Sequence, residues 1–210
     1  MSTRDFMLAV KSIAAIRDVI GSNDQTLFED LFKFAEKELR EEFDAFDRTD
    51  EDDLNDFRQQ LEGAKAELGR MLLTNPPPEK EPGLWITFIE RIIKKKGLAV
   101  KVNLDFDQGY KHSYVWGPYR KLVQSRLSPA AVEALEHLDN GRPLRGKRVV
   151  NDGCLFSWLT LSEITALHDS LSQITATDVG DPELEEFHQD LVDALATLKK
   201  KKCDLILGAQ

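Results

Sequence analysis

Apolar residues recur every three or four positions over residues 28–46, at Phe28, Leu31, Phe32, Ala35, Leu39, Phe43 and Phe46. That spacing lines one face of an α-helix of about five turns. A second stripe, Leu54, Phe57, Leu61, Ala64, Leu68 and Met71, advances by alternate steps of three and four. This is a heptad-like seam suited to a nearly antiparallel neighbour, so residues 24–73 are expected to form a helical hairpin. A strand would scatter either stripe over both of its faces.

Shorter signals flank this pair. Residues 5–10 (DFMLAV) are compatible with a strand, and Ser12 to Ile20 reads as a brief helix stopped by Gly21. Asn75-Pro76-Pro77-Pro78 cannot continue a helix, because proline lacks the amide hydrogen, and opens a Pro-rich connection over residues 75–83. Leu84 to Lys96 is apolar over a wide arc and predicts a central helix, closed by three lysines and Gly97. Leu98 to Phe106 alternates apolar and polar residues from Val100 onward and is the clearest strand. Ser128-Pro129 opens a helix ending near Asn140-Gly141. Thr160 and Glu163 have capping-box spacing, with Leu159 placed to staple onto Ile164. Asp181-Pro182 starts the last long helix, and Leu205 to Leu207 reads as a short terminal strand. The expected fold class is α+β, predominantly helical, with an N-terminal helical hairpin and a small mixed sheet. The whole chain, 1–210, is expected to be a single domain whose mixed α+β body spans 84–210.

Charge is unevenly spread. Residues 1–75 hold 10 Lys+Arg against 18 Asp+Glu, residues 76–150 hold 14 against 8, and residues 151–210 hold 4 against 11. The overall net charge of −9 disfavours nonspecific nucleic-acid binding, which scales with positive charges presented together. No run approaches the roughly 18 uncharged apolar residues that span a bilayer, and the N-terminus lacks the pattern of a signal peptide. Two distant cysteines, Cys154 and Cys203, do not make a disulfide framework. These features together predict a soluble, cytoplasmic protein with reduced thiols and no membrane partner.

No complete catalytic or cofactor motif appears. His112, His137, His168 and His188 show neither H-E-x-x-H nor zinc-ligand spacing, and the acidic run Asp47 to Asp56 lacks the glycine and spaced oxygens of a calcium loop. The histidines therefore read as structural or surface residues, and no metal or cofactor is expected. Cys154 sits in an apolar patch that would suppress its thiolate, no Gly-x-Ser-x-Gly elbow occurs, and no Gly-rich loop follows a strand. What remains is an aromatic and basic stretch. Tyr114, Trp116, Arg120 and Arg126, joined by Arg142 and Arg145, offer flat faces and planar cationic forks suited to an anionic ligand. The competing reading puts the aromatics in the core and pairs the arginines with acidic segments of the same chain.

From Trp116 onward, a helix, then Gly141-Arg142-Pro143-Leu144, then Leu159-Thr160-Leu161-Ser162-Glu163-Ile164 opening another helix, resembles the YfbM-like bacterial proteins of unknown function. Ile20-Gly21-Ser22-Asn23-Asp24 ahead of a long helix is similar to related families of unknown function. The resemblance implies a single α+β domain with a small sheet and supplies no catalytic residue. The leading functional expectation is a noncatalytic binding or regulatory protein of the bacterial cytoplasm, of the immunity type, meeting a basic protein partner. The alternative is a small anionic-ligand binder or enzyme built on the six aromatic and arginine residues of 110–148.

Overall fold

The computed structural model describes residues 5–45, 51–74, 84–104, 106, 112–146, 149–150 and 155–209. The Pro-rich connection at 75–83, together with Phe46, Cys154, Lys147 and Arg148, lies outside them. In chain order the elements are β1 (Asp5–Val10), α1 (Ile13–Val19), α2 (Gln25–Ala45), α3 (Glu51–Leu72), β2 (Leu84–Trp85), α4 (Ile86–Lys95) and α5 (His112–Val123). They continue with α6 (Pro129–Asn140), β3 (Val149–Val150), β4 (Phe156–Leu159), α7 (Leu161–Leu171), α8 (Pro182–Lys201) and β5 (Asp204–Ala209). The fold is predominantly helical α+β.

The last strand is the centre of the sheet. β5 pairs antiparallel with β1 on one side and β4 on the other, with Leu8 and Trp158 both opposite Ile206. Because side chains alternate across a strand, the two faces belong to different cores. Met7, Ala9, Leu159, Leu205 and Leu207 face one apolar cluster, filled by α5 to α8. Val10, Phe156, Trp158 and Ile206 face a second, filled by α1 to α4. A sheet covered on both faces needs apolar residues at consecutive positions, which is why β5 reads as an unbroken apolar run. The sheet is antiparallel throughout, and among the described residues parallel pairing is confined to the two-residue ladder of β2 and β3. The Phe6 ring lies over Gly208 on the neighbouring strand, where any Cβ would collide with it.

The hairpin forms as its two stripes predict. Leu27, Leu31, Ala35 and Leu39 of α2 and Ala64, Leu68, Met71 and Leu72 of α3 are buried in the second core. Its base is fixed by backbone bonds from Gly21 to Met71 and from Asn23 to Leu72, each 2.7 Å, and by ion pairs Lys95–Asp30 and Lys96–Asp24 from the end of α4. One segment differs from expectation. The described residues of Leu98 to Phe106 are not a strand: after one bridge, Val10 to Ala99, they leave the edge of β1, so the alternation reflects one packed side rather than a ladder. Residues 112–123 of the aromatic and basic stretch form α5, with Pro118 on an exposed turn where the missing helix bond faces water.

Four helix starts follow the sequence: Ser12, Ser128 and Asp181 accept from the first-turn amides, and Thr160 with Glu163 completes a capping box. Asp204 adds a long-range cap. Its Oδ2 accepts from Ile13 N at 2.7 Å and its Oδ1 from Leu161 N at 2.7 Å, so one carboxylate serves the starts of both α1 and α7. Asp204→Ala should cost about 2 kcal/mol by chemical denaturation, roughly 1 per cap, and Asp204→Asn, which keeps one acceptor oxygen, about half of that. Wild-type stability in the alanine variant would refute this role.

Candidate functional site

α5 carries Trp116 and Arg120 of the expected patch, and its inward face builds a buried polar cluster. His112 and Trp116, one turn apart, both reach Asp5, which is 1% exposed at the start of β1. His112 Nδ1 lies 3.0 Å from Asp5 Oδ1, Trp116 Nε1 donates to Asp5 Oδ2, and His112 Nε2 lies 3.0 Å from the Asp139 carbonyl at the end of α6. A carboxylate and a carbonyl can only accept, so both ring nitrogens donate and His112 is held as an imidazolium. Burial by itself would lower its pKa, but the bonds to Asp5 and to the Asp139 carbonyl outweigh it and raise the group above the ordinary 6.5. Arg120 closes the cluster: its Nε sits 2.8 Å from Asp139 Oδ2, off the N–H direction, an ion pair rather than a hydrogen bond. Neither nitrogen of His112 is left for a substrate proton, so the arrangement holds charge in place rather than transferring it.

A second buried pair lies one turn along. Tyr119 donates its hydroxyl proton to His188 Nδ1 at 2.6 Å, and His188 Nε2 donates to the Ile174 carbonyl at 2.9 Å, which fixes a neutral ring. Burial lowers the His188 pKa and raises that of Tyr119. Phe187 meets both Trp116 and Tyr119 edge-on, so these aromatics are core.

The six expected ligand-binding residues do not share one environment. Trp116 is fully buried, whereas Tyr114 is 67% exposed on another side of α5. Arg126 lies 3.5 Å from Asp178, away from the Asp139 pair that holds Arg120. Arg142 lies against Trp158, and Arg145 against the end of α1. The Arg142 guanidinium stacks 3.5 Å from the centre of the Trp158 ring and donates to Glu163 at 2.8 Å. Arg145, at a left-handed φ of 49°, donates to the carbonyls of Arg17 and Ile20 at the C-terminal end of α1, where a cation offsets the helix dipole. Arg17 lies 5.3 Å over the same ring. Glu163 is desolvated, which raises a carboxyl pKa, yet its bonds to Thr160 and Arg142 leave it below the ordinary value.

Asp5, Arg17 and Trp158 are the residues of these clusters that no motif marks, and the capping box marks Glu163 as a cap only. The one signal is an aspartate heading an apolar strand, a charge that must find a partner when buried. Among the described residues no group of three or more His, Cys, Asp or Glu is arranged to hold a metal ion. Cys203 is a buried free thiol whose pKa burial raises.

The histidines oppose one another in pH dependence. His188 and His137 have lowered folded pKa values, burial being the main cause, so stability should rise with pH up to about 6.5, the unfolded value. His112 has a raised one, so its contribution is complete below about 6.5 and lost as pH climbs through the folded value. Denaturation midpoints should therefore decline on the alkaline side, and His112→Gln should flatten that limb alone. A limb unchanged in the variant would show that His112 is not the titrating group.

No family model matches the chain, and no curated protein or solved structure matches it either.

Proposed function

We propose that this chain is a noncatalytic binding protein of the regulatory or immunity type, acting in the bacterial cytoplasm. It presents the outer end of the α2–α3 hairpin to a basic protein partner. The observation that carries this reading is charge set against local stability. The last turn of α2 contains no basic residue where cations would be favoured, and Glu41, Glu42 and Asp44 are exposed toward the negative end of the helix dipole. Glu51, Asp52 and Asp56 of α3 are exposed as well. Glu41 is paired within the helix to Lys37 at 3.2 Å, but helix folding gains nothing from Glu42 and Asp44, so their placement fits a role toward another molecule.

The geometry of the arm agrees. Each helix is about 30 Å long at 1.5 Å per residue. Burial in the body is concentrated toward the base, and toward the outer end Phe43 and Phe57 meet each other at 5.2 Å, with Leu54 exposed. An acidic surface of this kind accelerates encounter with a basic partner and weakens as salt screens it. The alternative built on the arginines is less favoured, because Arg120, Arg126 and Arg142 face carboxylates and Arg145 faces helix carbonyls of this chain.

Replacing Glu41, Glu42 and Asp44 by lysine separates function from folding. Thermal stability should hold or rise slightly. A basic protein retained stoichiometrically from a bacterial lysate by the wild type should be lost by the triple variant, and released from the wild type by about 0.5 M salt. Equal, salt-insensitive retention by both proteins would overturn the assignment.

A further inference from the structure

The outer edge of β1 holds an unfinished ladder. In the antiparallel β1–β5 pairing the even residues of β1 bond β5, so the backbones of Asp5, Met7 and Ala9 are directed outward. On that side Lys11 N donates to the Leu98 carbonyl at 2.8 Å and Val100 N donates to the Ala9 carbonyl at 3.0 Å, flanking the bridge between Val10 and Ala99. The next step would return a bond from Ala9 N–H to the Val100 carbonyl, and it is not formed among the described residues. The amide and carbonyl of Met7 likewise find no outward partner there, although Met7 and Ala9 are 6% and 5% exposed. Buried backbone groups without partners are rare and costly.

Beside them lies a cleft of about 370 Å³. β1 forms one wall, Glu90, Ile93 and Lys94 of α4 another, and Val100, Val102 and Leu104 the third. Those last three residues stand two apart, as the residues facing one side of a strand do, and they are partly buried against the α5–α8 core. Counting on from the bridge, Val102 falls opposite Met7 and Leu104 opposite Asp5. The segment thus has the pattern, the register and the missing partners of a fourth strand, yet stands off the edge.

We propose that residues 100–104 are a detachable strap. They zip onto β1 in the register set by the Val10–Ala99 bridge, satisfying Met7 and Ala9 and closing the apolar cleft. The open form presents a pocket of ligand size with a strand edge in its wall, and the closed form removes it. Anything lodged in the cleft therefore excludes the closed strap.

Leu8 and Lys101 would form the next non-hydrogen-bonded pair, where Cα atoms approach to about 4.5 Å and a disulfide can close. In a background with Cys154→Ala and Cys203→Ala, Leu8→Cys/Lys101→Cys should cross-link nearly completely under mild oxidation, and the off-register Leu8→Cys/Asn103→Cys should not. In the wild-type protein, which does not depend on those variants folding, NMR should show a cross-strand Hα–Hα contact between Leu8 and Lys101. Val102→Pro, which cannot donate to the Met7 carbonyl, should abolish it. Absence of that contact in the wild type, or equal cross-linking of the two pairs, would overturn the proposal.

Discussion

One carboxylate joins the two halves of this molecule. Asp204 opens the central strand and binds the first amide of α1 on one side of the sheet and that of α7 on the other. The two helices belong to different apolar clusters, Ile13 and Ile16 to one, Ile164 and Leu167 to the other. Helix starts leave amides that must find acceptors, and here the strand supplies both from a single side chain. Strand pairing, helix entry and the separation of the two cores therefore meet at β5 in the middle of the sheet.

That arrangement explains how the polar groups of the interior are distributed. Asp5 sits opposite Ala209 at the far end of the β1–β5 ladder, and its charge is met by the His112 imidazolium and the Trp116 indole. Asp204 lies at the near end, opposite Val10. The ladder is thus pinned at each end by a carboxylate with fixed donors, while apolar residues fill the positions between. The acidic arm, by contrast, is fixed at its base and exposes Glu42, Asp44, Glu51 and Asp52 toward its outer end.

Elements with local causes were legible in the sequence. The two hairpin stripes, the serine, threonine and aspartate caps, and the unbroken apolar run of β5 depend on neighbours a few residues away. What was not legible depends on distant pairing. Alternation at Leu98 to Phe106 signals a strand, but a ladder also needs an edge that accepts it, and a single bridge forms. Gly117 and Pro118 mask the helix of residues 112–123. The surroundings of the arginines depend on distant residues in the same way: Arg142 stacks on Trp158 and pairs with Glu163, and Arg145 reaches the end of α1. His112 and His188 read as structural, and they occupy buried positions with both ring nitrogens engaged.

Native-state hydrogen exchange tests the joining role of Asp204 most directly. First-turn amides of a helix ordinarily exchange freely. Those of Ile13 and Leu161 are instead expected to be protected, and to open together with the amides of β5 in one cooperative step. Rapid and independent exchange at the two positions, with β5 still protected, would mean that the halves are not coupled through this carboxylate.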